Sequence, residues 1–344
     1  RMMLGGKGTR WLASWFRGAR AQRGVLPHSI PRGAAFMSDN AVRRLKKEDM
    51  KNSLQYCESL VRRHEEDQYL CAMLAPEGTW APLMTLRAFN IETATVREST
   101  TNETTAAIRL QWWRDSLEDI YSGTPGDSLK QPVLAMIYVL LHRHYLPKEL
   151  FMDILDARDE DLVVGAMETM EDLLKYSDMT QGRLLELALH TLTIHASDFP
   201  NAAKAALHAG RFLGLTTMIR ATPFLAARNQ TYVPKKMLDE QIGFSPEEFY
   251  ASLLSGKTPD PMKECIREMV AVARQELDQA RELHSNVTRD TSLMLLSVLP
   301  ALHYIERLQA NDYELCSPDV MQLTGFGPLK LRLRLRWCAW RGNF

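Results

Sequence analysis

Cysteine is scarce and shows no pairing pattern. The 344 residues hold five, Cys57, Cys71, Cys265, Cys316 and Cys338, with no C-x-x-C spacing. An odd count without clustering argues against a disulfide framework and for reduced thiols in an intracellular compartment. Cys57 and Cys71 are candidate core residues, the usual place of an unpaired thiol. No apolar run reaches the roughly 18 residues that a bilayer crossing needs. The closest, Leu293–Leu302, is interrupted by Ser297 and Pro300. Membrane contact is therefore expected to be peripheral. The body also lacks a stretch of alternating apolar and polar residues, a fixed-period repeat and a heptad array. These absences argue against sheet, solenoid and coiled-coil folds.

Acids are missing from both ends. Residues 1–38 carry seven Lys/Arg and residues 329–344 carry five, with no Asp or Glu in either stretch. The whole chain balances 42 basic against 42 acidic residues. Residues 39–328 therefore hold thirty bases against forty-two acids, a formal charge of −12. A body of that sign is a poor nucleic-acid binder, because phosphate affinity rests on dense Lys/Arg contacts. In the N-terminal run Trp11, Leu12, Trp15 and Phe16 fall on one helical face among Arg10, Arg17, Arg20 and Arg23. Arg-rich, acid-free and amphipathic is the pattern of a mitochondrial transit peptide. Arg at position 1 leads us to expect a fragment or an upstream extension.

With 45% hydrophobic and 24% charged residues the chain can bury a sizeable core. From Ser38–Asp39, an N-cap signal, helical periodicity runs nearly throughout. Helices are expected over Trp80–Thr100, Thr104–Tyr121, Val133–His144, Glu149–Asp161, Glu171 to about His195, Pro261–Ser285 and Thr291–Leu308. Ser245-Pro246-Glu247-Glu248 reads as a capping box. The fold class is all-α in one domain. Gly327–Phe344 is the exception, since Lys330, Arg332, Arg334 and Arg336 alternate with leucines at a strand period. An extended basic tail or a short helix both remain open. Such a tail suits an anionic membrane surface, at about 1 kcal/mol for each Lys/Arg near it; the alternative is a terminus unrelated to the fold.

The most informative stretch is Ala205–Pro234, AALHAGRFLGLTTMIRATPFLAARNQTYVP. Gly210 and Gly214 lie four apart on a predicted helix, so another backbone can approach there. Three further blocks precede it: the Tyr56-Cys57 helix start, LRAFNIETATVRES (Leu86–Ser99) and RLQWWRDSLEDIY (Arg109–Tyr121). In order and spacing the four blocks resemble the squalene and phytoene synthases, the head-to-head prenyl synthases. The resemblance spans roughly Tyr56 to Leu308. It implies an isoprenoid-synthase-like helical bundle around a central cavity over residues 39–328, between a transit segment at 1–38 and a basic tail at 329–344.

In those enzymes two helices carry aspartate-rich motifs. Ionising an allylic diphosphate takes Mg²⁺ ions held by oxygen ligands, and carboxylates four apart share a helix face. Set against that pattern, Glu92 and Glu98 are six apart and diverge, and Arg97 places a positive charge between them. On the second helix the aspartate positions correspond to Ala221 and Leu225, and no carboxylate occurs between Arg211 and Pro234. Glu92, Glu98, Ala221 and Leu225 are thus degenerate diphosphate/metal positions; no catalytic residue, no metal and no cofactor is expected. Arg87, Arg97, Arg220 and Arg228 are candidate anion-binding residues, able to hold an anionic lipid or carboxylates bidentately. The alternative is internal salt bridges with Glu92, Glu98 or Asp115.

The sequences FN-x-E, VRES, LQWWRDSLEDIY and IRATPFLAARNQTYVP are more similar to a non-enzymatic branch of the family than to its enzymes. That branch serves the assembly of mitochondrial NADH:ubiquinone oxidoreductase, complex I. The resemblance implies a pseudoenzyme on the matrix face of the inner membrane, peripheral to it, acting early in biogenesis of a membrane-embedded, mitochondrially encoded subunit. Its implied partners are complex I assembly intermediates or that subunit, with a prenyl or lipid ligand as a further candidate. A Mg²⁺-dependent prenyl transferase with atypical ligands is the alternative. The remaining polar clusters read as structural: His142 and His144 diverge at i, i+2, His190 and His195 suit surface or core roles, and Asp156–Asp161 reads as a solvated helix end. Of the adjacent Trp112 and Trp113, about 100° apart on a helix, one is expected in the core.

Overall fold

A computed structural model describes residues 47–100, 102–164, 167–240, 245–321 and 327–344. The transit segment read at 1–38 and the Ser38–Asp39 cap lie outside them. Among the described residues every regular element is helical. In chain order these are α1 (Lys47–His64), α2 (Glu66–Ala72), α3 (Trp80–Ala94), α4 (Val96–Ser99), α5 (Glu103–Ser122) and α6 (Pro132–Leu141). There follow α7 (Lys148–Val164), α8 (Met170–Ser177), α9 (Arg183–His190), α10 (Pro200–Leu225), α11 (Lys235–Asp239) and α12 (Pro246–Leu254). The last are α13 (Asp260–Glu282), α14 (Arg289–Met294), α15 (Val298–Ala310), α16 (Pro318–Met321) and α17 (Gly327–Arg341).

Local chemistry sets many of the boundaries. The Asn102 side chain accepts the Thr105 amide at 2.7 Å and starts α5, and Gly123, at φ +84°, ends it in the left-handed region. Capping boxes start α8 at Thr169/Asp172 and α12 at Ser245/Glu248. Asn229, at φ +54°, turns the chain out of the short 3₁₀ turn after α10.

The centre of the bundle is α10, which packs against α8, α9, α13 and α15. Its buried residues, among them Ala205, Phe212, Leu213, Gly214 and Met218, encircle the helix, as an interior helix requires. Where α8 meets α9 the chain widens into one π turn, Asp178–Gly182, packed directly on α10. A Cβ on Gly210 would lie 2.5 Å from the Gly182 Cα, and one on Gly214 would collide with Ser177. The two glycines anticipated as an approach site therefore admit the π turn itself. The Ser177 and Thr180 hydroxyls return to the carbonyls of Leu173 and Tyr176, both at 2.7 Å. Beside this contact Arg211 donates to both oxygens of Asp178, at 2.7 and 2.9 Å. His208 and Arg211 also reach the buried Glu276 of α13, at 2.7 and 3.4 Å.

Three expected helices are interrupted. Trp80–Thr100 breaks at Thr95 into α3 and α4, and the long helix expected after Glu171 is divided by the π turn and ends at His190. Thr291–Leu308 is divided by a 3₁₀ turn, Leu295–Ser297. Pro300 has no N–H to offer the Leu296 carbonyl. The Cys71 thiol takes that carbonyl at 3.5 Å, and Gln68 donates to the neighbouring Ser297 carbonyl at 3.0 Å. Cys57 and Cys71 are buried, and all five thiols are free.

The C-terminal alternation proves helical. On a helix a two-residue step turns about 200°, so the leucines divide between faces. Leu331 and Leu335 are buried, whereas Leu329 and Leu333 are exposed. The buried face packs on α15. Arg334 pairs with Glu306 at 2.7 Å, His284 bonds the Gly342 carbonyl at 2.8 Å and Arg281 donates to the Phe344 carbonyl at 3.0 Å.

Two expectations follow. Gly210→Ala will force the π turn off α10 and lower stability by roughly 1–3 kcal/mol, the usual penalty of overpacking; urea unfolding measures it. The second concerns His190, which is buried at the end of α9 with its Nδ1 2.7 Å from His195 Nδ1. Burial, then the neighbouring imidazole, depresses its pKa from 6.5 to about 4. An unfolded imidazole takes its proton at the higher value, so protons favour the unfolded chain as pH falls from 6.5 to about 4. The urea midpoint should drop between about pH 7 and about pH 5, and drop less in His190→Gln.

Candidate functional site

Side chains from α3, α4, α7 and α8, with Glu65 and Tyr232 from the connections, form a polar network within the bundle. Glu65, between α1 and α2, accepts from Arg87 at 3.4 Å and from the Asn90 amide at 3.2 Å. Arg158 of α7 donates to Asn90 Oδ1 at 3.3 Å and to the Tyr176 hydroxyl. The Tyr176 and Tyr232 rings stack with centroids 6.1 Å apart. Tyr232 donates to Asp161 Oδ2 at 3.0 Å, and Arg97 donates to the same oxygen at 2.7 Å. Arg87 and Arg97 thus each pair with one carboxylate, Glu65 and Asp161, and Arg158 lies between them on the neutral groups of Asn90 and Tyr176.

Burial makes these contacts strong. Asp161 is only 7% exposed, in a setting where an unpaired charge is costly. Burial works against the Arg97 charge, but Asp161 and Tyr232 outweigh it and raise its pKa. Burial also raises both tyrosines, and Arg158 opposes it in each. The phenols therefore stay protonated, Tyr232 donating to Asp161 and Tyr176 accepting from Arg158.

The residues singled out by sequence do not all meet here. Glu92 accepts from the Tyr56 hydroxyl, whereas Glu98 is exposed on α4. Ala221 and Leu225, at the end of α10, bring no oxygen ligand. Arg87 and Arg97 join the network, through Glu65 and Asp161. Arg220 lies over the Tyr304 ring at 6.0 Å, and Arg228 donates to the Glu98 carbonyl at 3.2 Å. The four arginines thus have separate partners, and none of their salt-bridge carboxylates is Glu92, Glu98 or Asp115. Among the described residues no three His, Cys, Asp or Glu side chains gather to hold a metal ion.

Glu65, Arg158, Asp161, Tyr176 and Tyr232 were not among the candidates. Only Arg158 and Asp161 had a local signal, an i, i+3 spacing that puts them on one face. Asp156 and Asp159 turn instead to Arg114, at 2.9 and 3.2 Å, and Glu160 to Lys175 at 3.4 Å. The acidic run is therefore solvated on one side only. Trp113 is the buried member of the tryptophan pair, edge-on to Phe89 at 5.5 Å, and Trp112 is exposed. Beneath Arg87 an apolar cleft runs between Leu83, Leu86, Leu184 and Ala188.

The squalene/phytoene synthase family model matches residues 61–341. Among curated proteins, "NADH dehydrogenase (ubiquinone) complex I, assembly factor 6" of Mus musculus is 30% identical over 289 residues, 84% of this chain and 82% of that protein. The Homo sapiens protein of the same name is also 30% identical, with the same two coverages of 84% and 82%. Among solved structures, a dehydrosqualene synthase in complex with ligand superposes with a TM-score of 0.71 at 16% identity, covering 86% of this chain and 99% of that one. At that identity the likeness concerns the fold.

Arg97→Ala strands Asp161 in the interior with only Tyr232 as partner. We expect a stability loss of roughly 3 kcal/mol, against about 0.5 kcal/mol or less for Arg228→Ala at the surface. Paired urea titrations compare the two; equal losses would show that the Arg97–Asp161 pair contributes nothing beyond a surface contact.

Proposed function

The chain belongs to the squalene/phytoene synthase family, and from that premise we propose that it is a non-catalytic assembly factor for mitochondrial complex I. The observation that carries this reading is the relation to assembly factor 6 proteins over 84% of the chain. The site supports it. A prenyl synthase must gather carboxylates around magnesium to draw off pyrophosphate. Here Ala221 and Leu225 stand on α10, and Arg97 turns to Asp161. Arg87 likewise turns to a carboxylate of the chain, Glu65.

The protein acts early, on this reading, in biogenesis of a membrane-embedded, mitochondrially encoded subunit. Its partners are complex I assembly intermediates or that subunit. Residues 1–38 direct it to the mitochondrion, and it works at the matrix face of the inner membrane as a peripheral protein. Among the described residues no helix is long and apolar enough to cross a membrane. A prenyl or lipid chain is a further candidate ligand. A Mg²⁺-dependent prenyl transferase with atypical ligands is the competing reading, favoured by the fold it shares with a dehydrosqualene synthase.

Two measurements decide between them. Purified protein given farnesyl or geranylgeranyl diphosphate with Mg²⁺ should release no pyrophosphate above background. Mitochondria depleted of the protein should lose assembled complex I on native gels, and the Ala221→Asp/Leu225→Asp variant should restore it as the parent chain does if that variant keeps the fold. Magnesium-dependent turnover, or normal complex I after depletion, would reverse the assignment.

A further inference from the structure

The outward face of α17 bears an apolar stripe that no part of the described chain covers. Leu329 (54% exposed), Leu333 (59%), Trp337 (55%) and Trp340 (69%) follow one another at steps of four, four and three residues. That spacing keeps all four within about one quarter of the helix circumference. Arg332 and Arg336 border the stripe on one side, Lys330 and Arg341 on the other, and all four are exposed. The Arg341 guanidinium lies over the Trp337 ring at 4.9 Å, and Trp337 and Trp340 are 5.4 Å apart. Arg334 takes no part, since it faces the body and pairs with Glu306. The helix has no acidic residue.

We propose that this stripe is the surface by which the protein docks on an anionic phospholipid bilayer. The inference rests on the peripheral-membrane part of the function proposed above and names the residues responsible. A helix lying in the membrane interface sinks leucines and tryptophans to the acyl boundary and sets Lys/Arg at headgroup level on both edges. The inward face is already anchored by Leu331, Leu335 and the His284–Gly342 bond, so the outer face is presented on a fixed support. Charge separates a bilayer from a second copy of the chain as the occupant. A symmetric pairing through the stripe would bring basic edges against basic edges, whereas an anionic headgroup layer complements both.

Flotation of the purified full chain with phosphatidylcholine vesicles, with and without phosphatidylglycerol, tests the proposal. The protein should float with the anionic vesicles and much less with the neutral ones. Trp337→Ser/Trp340→Ser should reduce binding by about tenfold or more. Arg332→Gln/Arg336→Gln should weaken it on anionic vesicles and flatten its salt dependence. These side chains are exposed, and an unchanged thermal melt confirms that each variant is folded. Failure of the parent chain to float with anionic vesicles, or equal flotation of the tryptophan variant, would overturn the proposal. So would a dimer in solution that the tryptophan substitutions dissolve. No complex I component enters this assay, so a negative result removes the surface and leaves the assembly role to the depletion experiment.

Discussion

Backbone lies directly on backbone where Gly210 of α10 meets Gly182 of the π turn, and the interior is arranged around that contact. A helix buried on all sides can be approached this closely only where side chains are missing. The π turn supplies the other half by pushing Gly182 outward from α9. Once the two are in register, Asp178 reaches Arg211, and Arg211 with His208 reaches Glu276 across α13. Polar groups that would be costly alone become mutually satisfied. The same register fixes the far end of α10, where Arg228 meets the Glu98 carbonyl.

The second organising element is the chain of contacts from Glu65 through Asn90, Arg158 and the two tyrosines to Asp161 and Arg97. It ties α1, α3, α4, α7 and α8 together through directional bonds, where apolar packing alone would tolerate sliding. Two of its arginines are paired within the chain, Arg87 with Glu65 and Arg97 with Asp161. A fold that superposes on a dehydrosqualene synthase thus holds an interior tied by its own side chains, and the assembly role proposed for it requires shape and surface more than reactive groups.

Much of this was legible in the sequence. The all-α class followed from apolar spacing, and the helix start at Ser245 followed from capping chemistry. The close-approach role of Gly210 and Gly214 was visible because two small residues four apart leave one groove. What escaped was non-local. Arg158 and Asp161 sit in a charged run that resembles a solvated end, and the partner that buries Asp161, Arg97, is 64 residues away. The π turn left no mark in the periodicity. The 3₁₀ break before Pro300 was stabilised by Cys71 and Gln68, donors from an element far back in the chain. The C-terminal alternation left an extended tail and a helix both open, because period two is ambiguous once a helix has two different apolar environments.

The π turn also bears on how the lineage can change length. A π turn is a helix holding one residue more than its hydrogen-bond ladder requires. Deleting one of Asp178–Gly182 would let the ladder close as an ordinary α-helix with α8 and α9 still in register, but the widened turn that lays Gly182 on Gly210 would be lost. The loop at Ser255–Gly256 meets no such constraint, since nothing lies close to Gly256. Insertions and deletions should therefore accumulate in the connections of this family member and be purged from a five-residue window in mid-helix.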